Sequence, residues 1–277
     1  MTVDQYALTT LASAKTYMGY GAGTEADAFI ESLIDQATVL METYCDRKLK
    51  SRAFTQERYD GTGLNTIVLL QWPIISVGAI SVGQVQAITV KNTATDTTAF
   101  VSVSSTGVTL TKDGTETELL FADYLTMTLL ADAITATGTF TGTVVSDYAS
   151  FKSDQLVAVN NLYCLDVDAN LNIPNPSGYL SDYVVNAAVG ELCFPGDTGS
   201  GYQNIFITYT AGYATIPDDL VLACNMQVNW MRKQSGENLG LLGQNRRHFD
   251  DGSATYSGQA ILPSIQSTLD RYKKDWI

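Results

Sequence analysis

The apolar positions change period along the chain. Phe29, Ile30, Leu33, Ile34, Ala37, Leu40, Met41 and Tyr44 recur at three- and four-residue spacing, which gathers them on one side of an α-helix. Thr24 is the expected N-cap, with Glu25 and Asp27 in the first turn, where the helix dipole favours negative charge. Asp46-Arg47-Lys48 is the expected end. Upstream, Leu8, Leu11, Ala12 and Lys15 fit a short helix that Gly19 and Gly21 stop. Downstream the period falls towards two. Phe54, Gln56, Arg58 and Asp60 lead into a Gly61-Thr62-Gly63 turn. Thr66–Trp72 and Ile74–Val82 then read as strands, with Pro73 marking an edge or a strand start.

Alternation continues through the middle of the chain. Ala87–Val90, Phe100–Val103, Val108–Thr111, Glu118–Phe121 and Phe140–Val145 read as strands, and Lys112-Asp113-Gly114 as a turn. Thr126, followed by Leu129, Leu130, Ala133 and Ile134, predicts one short helix. Ile205–Thr210 is a strand and Ala211-Gly212-Tyr213 a turn. Pro217 with Asp218 and Asp219 starts a helix whose apolar face holds Leu220, Ala223, Cys224, Gln227, Val228, Trp230 and Met231. Residues 236–258 are polar and glycine-rich, and are read as a long mobile loop holding Arg246, Arg247 and His248. A last helix starts at Pro263, with Ile265, Leu269, Tyr272 and Trp276 on one side. The fold class expected is α+β: a helical domain with a small β element, formed by residues 1–82 and 201–277, interrupted by a β-rich insertion at 83–200.

Charge sharpens that division. The chain has 277 residues and a formal charge of −13. Residues 83–200 hold three basic and thirteen acidic side chains, net −10, whereas residues 201–277 are neutral. Such a chain does not grip a nucleic acid backbone by bulk attraction. No apolar run approaches the roughly 20 residues of a membrane helix, and the first residues lack the pattern of a secretory signal. Cys45, Cys164, Cys193 and Cys224 lie far apart and are read as reduced core thiols.

Catalytic chemistry is thinly represented. His248 is the lone histidine, and no neighbouring pattern builds a nucleophile–base pair on it. Phosphate-cradling glycine motifs are missing. Asp166–Asn172 has the early oxygen spacing of a calcium loop but lacks its sixth-position glycine and its closing glutamate, so a solvated turn is the better reading. Arg246-Arg247 fit a phosphate backbone, an acidic neighbour or a solvated loop tip. No enzyme activity, cofactor or metal is expected; an assembly or binding protein is.

Two stretches together resemble the head–tail connector family of tailed bacteriophages, the head-completion or adaptor proteins. The first contains Ile34-Asp35-Gln36-Ala37-Thr38, Glu42-Thr43-Tyr44-Cys45-Asp46-Arg47, Tyr59-Asp60-Gly61 and Trp72-Pro73-Ile74-Ile75-Ser76-Val77. The second contains Ile207-Thr208-Tyr209-Thr210-Ala211-Gly212-Tyr213, then Ile216-Pro217-Asp218-Asp219-Leu220 and Ala223. They cover the two flanks; residues 83–200 depart from the minimal pattern.

The resemblance implies a structural protein of the virion neck, assembled in the host cytoplasm. Such proteins form a ring, usually of twelve copies, beneath the portal protein. They extend the channel through which DNA passes and receive a downstream neck or tail-completion protein. It also implies portal docking through the C-terminal segment, here Leu262, Ile265, Leu269, Arg271, Tyr272, Lys273, Lys274, Trp276 and Ile277. Phe29, Leu33, Leu40, Trp230 and Met231 are the candidates for contacts between copies. The alternative is a standalone binding module, or a later neck component, that recognises a glycan or protein through the β insert, with Tyr179, Tyr183 and Tyr202 as its exposed aromatics.

Overall fold

Helices α1 (Leu11–Met18) and α2 (Asp27–Cys45) form where the apolar spacing places them. Thr10 caps α1 by accepting from the Ser13 N–H, and Gly19 closes it in the left-handed conformation at φ 73°. The expected cap of α2 is corrected. Thr24 accepts the Asp27 N–H on its carbonyl in a separate turn, and Ala26 precedes the helix without a side-chain cap. Lys15 holds that turn by donating to the Gly23 carbonyl and the Asp27 carboxylate, both at 2.6 Å. The computed structural model describes residues 2–21, 23–237, 246–249, 252–255 and 261–273.

The strands follow as β1 (Arg52–Thr62), β2 (Thr66–Val68), β3 (Ile74–Val82), β4 (Gln84–Asn92), β5 (Ala99–Val103), β6 (Gly107–Lys112) and β7 (Thr115–Leu120). Helix α3 (Met127–Ala136) precedes β8 (Phe140–Val144), β9 (Val159–Tyr163), β10 (Ala169–Pro174), β11 (Val184–Asn186), β12 (Glu191–Cys193) and β13 (Ser200–Ala211). Helix α4 (Asp218–Glu237), strands β14 (Arg246–Phe249) and β15 (Gly252–Thr255), and helix α5 (Pro263–Leu269) complete the order. The fold is α+β, as the patterning implies.

Three apolar cores organise these elements. The first joins the chain ends: Leu8, Ile30, Ile34, Met41 and Leu49 pack with Leu220, Cys224, Val228, Ile265 and Leu269. The second lies on an antiparallel sheet of order β1-β13-β3, where Ile80, Ile205, Ile207 and Tyr209 meet Leu69, Leu192 and Phe194. The third belongs to the middle of the chain. A four-stranded sheet of order β7-β6-β5-β9 and a three-stranded sheet of order β10-β4-β8 enclose, with α3, the side chains of Val90, Val101, Leu110, Met127, Leu130, Ile134 and Leu171. Thr126 caps α3 by accepting from Leu129. Asp113 and Gly114, at φ 47° and 79°, supply the two left-handed positions of the β6–β7 hairpin.

The expected 83–200 segment is thus divided between two cores. Residues 85–173 pack together, whereas Leu180, Tyr183, Leu192 and Phe194 belong with the β1-β13-β3 sheet. Two further expectations change. The strand read over 66–72 stops at Val68, because the Leu69 N–H turns to the Gly190 carbonyl and the Leu70 N–H to the Tyr59 hydroxyl. Arg246, Arg247 and His248, expected in a loop, lie in strand β14, which pairs with β15 from Arg246↔Thr255 to Phe249↔Gly252.

Candidate assembly surfaces

The residues that carry the family resemblance come from separate stretches and meet at one seam between the helical core and the sheet. Helix α2 ends at Asp46, left-handed at φ 53°, and that reversal drives Arg47 into the seam, where it is 3% exposed. Its guanidinium lies 4.0 Å from the centroid of the Trp72 ring and 5.5 Å from that of Tyr213. It donates to the Trp72 carbonyl at 2.9 Å and to the Tyr213 hydroxyl at 3.2 Å. Aromatic faces and neutral oxygens thus surround this cation. The Ala211-Gly212-Tyr213 turn passes beside residues 49–51: Tyr213 N–H donates to Leu49 and Ser51 N–H to Tyr213. Gly212 is required there. Its φ is 105°, and a Cβ would meet the Lys50 and Ser51 backbone at 2.8 Å.

Glu42 anchors the same seam from within α2. It accepts from Arg52 at 2.6 Å, from Lys48 at 3.1 Å and from the Leu49 N–H at 3.0 Å. Its side chain is 4% exposed and that of Arg52 16%. Arg52 also covers the Tyr6 ring at 4.1 Å, tying the first residues of the chain to the cluster. On the sheet, Glu57 accepts from the hydroxyls of both Tyr59 and Tyr209. Burial holds both phenols far above their ordinary range, and the Glu57 bond adds to this. They act as neutral donors.

The C-terminal segment closes onto this seam. Ile265 and Leu269 are 1% and 0% exposed within the helical core. Beyond α5, Asp270–Tyr272 form a 3-10 turn. Tyr272 sets its ring edge-on to Tyr213 at 5.8 Å and donates to Asp219 at 2.6 Å. Burial and the Asp219 bond raise the Tyr272 phenol. Arg271 pairs with the same carboxylate at 2.8 Å, and Asp270 accepts from Tyr44 at 2.7 Å. Lys273 lies 5.2 Å from the Tyr44 ring centroid.

The residues expected to dock on a portal are therefore placed as follows. Leu262, Ile265, Leu269 and Tyr272 pack against this chain's own core, and Arg271 is held by Asp219. Leu and Ile at helical spacing mark a buried face, but the pattern is silent on what buries it. Lys274, Trp276 and Ile277 lie outside the described residues. Among the candidates for contacts between copies, Leu33 is in the core and Leu40 and Met231 pack against it. Trp230 is half-buried. Phe29 alone of the five is largely open, at 46%, and Val39 joins it on α2 at 61%.

The aromatics of the alternative reading are dispersed in role. Tyr183 packs 6.1 Å from Phe194 in the sheet core, while Tyr179 and Tyr202 are exposed. Two open clefts flank residues 179–183. One of about 400 Å³ is lined by Gly78, Ala79, Ile80 and Tyr183, and one of about 320 Å³ by Asp182, Phe194 and Asp197. At the calcium-like stretch, Asp166 N–H donates to Asn92 and Ala169–Pro174 form β10. Among the described residues no group of three His, Cys, Asp or Glu is placed to hold a metal, and no helix is long and apolar enough to cross a membrane.

Sequence reading missed the Glu42–Arg52 pair. The available signal was a glutamate four residues after Thr38 on the buried side of α2, a place where a charge needs a partner. It also missed the exposed leucines of the β7–α3 corner, because Leu125 and Leu129 look like core residues in one dimension.

No protein-family profile matches the sequence, and no curated protein does. Solved structures similar to it include the following two. One is a chain of the neck of an empty gene transfer agent particle computed with C6 symmetry, 14% identical, with a TM-score of 0.36 and coverage of 100% of this chain and 95% of that one. The other is a chain of the virion of the native gene transfer agent particle, 14% identical, with a TM-score of 0.35 and the same coverage.

Proposed function

We propose that this chain is a structural neck protein of a tailed-phage-like particle. In this reading it is an adaptor that forms a ring beneath the portal, extends the DNA channel and receives the next neck or tail protein. The observation that carries the reading is the seam. Glu42, Arg47, Trp72, Tyr213 and Asp219 lie in the separate stretches that resemble the connector family, and they assemble into one aromatic and ionic junction. The motif thus describes how helices and sheet are joined, which favours a scaffold over an active site.

Among the described residues, the connector unit of this proposal is built by those up to Val82, by 175–237 and by 261–273, and the insertion runs over 83–174. Neighbouring copies meet through the open face of α2 at Phe29 and Val39. A ring needs such contacts to be head-to-tail and to close. Portal docking falls to Lys274, Trp276 and Ile277, since Ile265 and Leu269 serve the chain's own core.

The test is co-sedimentation with DNA-filled, portal-bearing heads. The full chain is expected to bind at a fixed number of copies per head. A chain ending at Lys273 keeps its α5 anchors and is expected to lose that binding while remaining folded by circular dichroism. Failure of the full chain to bind overturns the adaptor reading. Undiminished binding of the shortened chain overturns the docking assignment.

A further inference from the structure

The acidity of the middle segment is not spread evenly. From Asp113 to Phe151 the sequence contains Asp113, Glu116, Glu118, Asp123, Asp132 and Asp147 and not one lysine, arginine or histidine. This stretch builds β7, α3 and β8, one contiguous part of the insertion. Glu116, Glu118, Asp123, Asp132 and Asp147 are all exposed.

Within it lies an apolar corner that the fold leaves open. The N–H groups of Asp123 and Tyr124 both donate to the Leu120 carbonyl, so the chain turns sharply from β7 into α3. That turn presents Leu120, Leu125 and Leu129 from a single ten-residue corner, at 39%, 63% and 49% exposure. Leu125 stands one residue before the cap of α3, where an apolar side chain ordinarily packs back on the first turn of its own helix. Here Leu130 is wholly buried in the core while Leu125 faces solvent. The helix is already capped by Thr126, and Met127, Leu130, Ala131 and Ile134 already fill the core. The three leucines are surplus to the insertion's own packing. Glu118 and Asp123 flank Leu120 in sequence, and Asp132 follows Leu129 within one helical turn.

We propose that this leucine corner is the docking surface for a basic, apolar-anchored segment of the tail-side protein. The inference rests on the adaptor reading and deepens it by assigning the tail-side contact to the insertion. Charge complementarity selects the partner. A leucine patch bordered by Glu118, Asp123 and Asp132, carboxylates that outnumber the exposed Lys152 bridged to Thr126, attracts lysine- and arginine-bearing surfaces and repels acidic ones and nucleic acid. Burial of a few apolar anchors then holds the complex, while the surrounding carboxylates steer it and set its register.

The experiment uses the full chain and its exposed positions only. One variant carries Leu125→Ser and Leu129→Ser, and a second carries Glu118→Lys and Asp132→Lys. Unchanged thermal transitions establish that both fold. Each is loaded on DNA-filled heads, loading is measured by sedimentation, and purified tails are added and joined particles counted by electron microscopy. Loading is expected to equal that of the unaltered chain, while tail joining falls at least tenfold for both variants. Joining of the unaltered complex is expected to weaken as salt is raised. Normal loading with normal joining overturns the assignment of this corner. Lost loading by the variants alone also overturns it, because the corner then faces the head. If the unaltered chain does not load, the adaptor reading itself fails and takes the assignment with it.

Discussion

Replacing Glu42 by glutamine removes one charge from the seam and leaves its shape. The amide oxygen can still accept the Leu49 N–H, so that 3.0 Å bond is retained. What is lost is the charged partner of Arg52, 2.6 Å away, on side chains 4% and 16% exposed. Hydrogen bonds to charged groups contribute about 1.5–3 kcal/mol. The Lys48 contact adds at most about 1 kcal/mol, because Lys48 is 46% exposed and water screens it. The expected loss is therefore about 1.5–4 kcal/mol. It is to be read as a lower urea midpoint at unchanged slope in the transition that reports the helical core. Arg52→Met is expected to lose a similar amount, since it leaves Glu42 with only Lys48 and a backbone donor. The double variant should lose clearly less than the two single losses together, a coupling of about 1.5 kcal/mol or more. Additive losses, within about 0.5 kcal/mol, would refute the claim that these two groups act as one unit.

Two further outcomes concern the C-terminal segment and the thiols. Leu269→Ala empties a fully buried site and is expected to lower stability by about 2–5 kcal/mol. Asp219→Asn weakens a half-exposed ion pair and is expected to lower it by about 1 kcal/mol or less. Hydrogen exchange of residues 261–273 should accelerate far more in the first variant, and equal acceleration would show that polar contacts, not apolar ones, hold the segment. Burial pushes the thiols of Cys45 and Cys164 up to about 11 and that of Cys224 up to about 12, from an ordinary 9.0. The folded chain therefore holds these protons more tightly than the unfolded one. Their stabilising effect is complete below pH 9 and is lost as pH rises through 11 to 12. Urea midpoints measured at pH 8 and pH 10.5 should fall with pH, and a flat profile would contradict the burial of these thiols.

The sequence was most legible where one local rule decided the outcome. Three- and four-residue spacing located α2, Thr126 marked the start of α3, and Asp113-Gly114 marked the β6–β7 hairpin. It was least legible where a distant group decided. Thr24 is a good cap by composition, but Lys15 fixes the turn around it and the helix begins later. The apolar run over 66–72 looks like one strand, yet Gly190 and Tyr59 draw its later N–H groups away. Periodicity also fixed which side of the last helix is buried without naming its cover, so Ile265 and Leu269 read equally well as docking anchors and as core. The seam shows the same limit. Glu42, Arg47, Trp72, Tyr213 and Asp219 were visible in motifs and Arg52 was not, and their meeting depends on pairings such as Arg52↔Ala211, which no local signal encodes.

The middle segment, residues 84–174, leaves the sheet where it enters it. Gln84 and Pro174 are register partners at the ends of β4 and β10, and Asn175 N–H donates to Gly83. This bears on the order in which the chain folds. Strands β3 and β13 are adjacent in the sheet but distant in sequence, and bringing such ends together is entropically unfavourable in a loose chain. The pairing of β4 with β10 sets the two exits of the middle segment side by side, so that residues 175–199 are all that separates this junction from β13. The middle segment thus acts as an internal splint: its closed base holds the ends of β3 and β10 together, and the β3–β13 pairing closes a loop of residues 175–199 rather than one of more than a hundred residues.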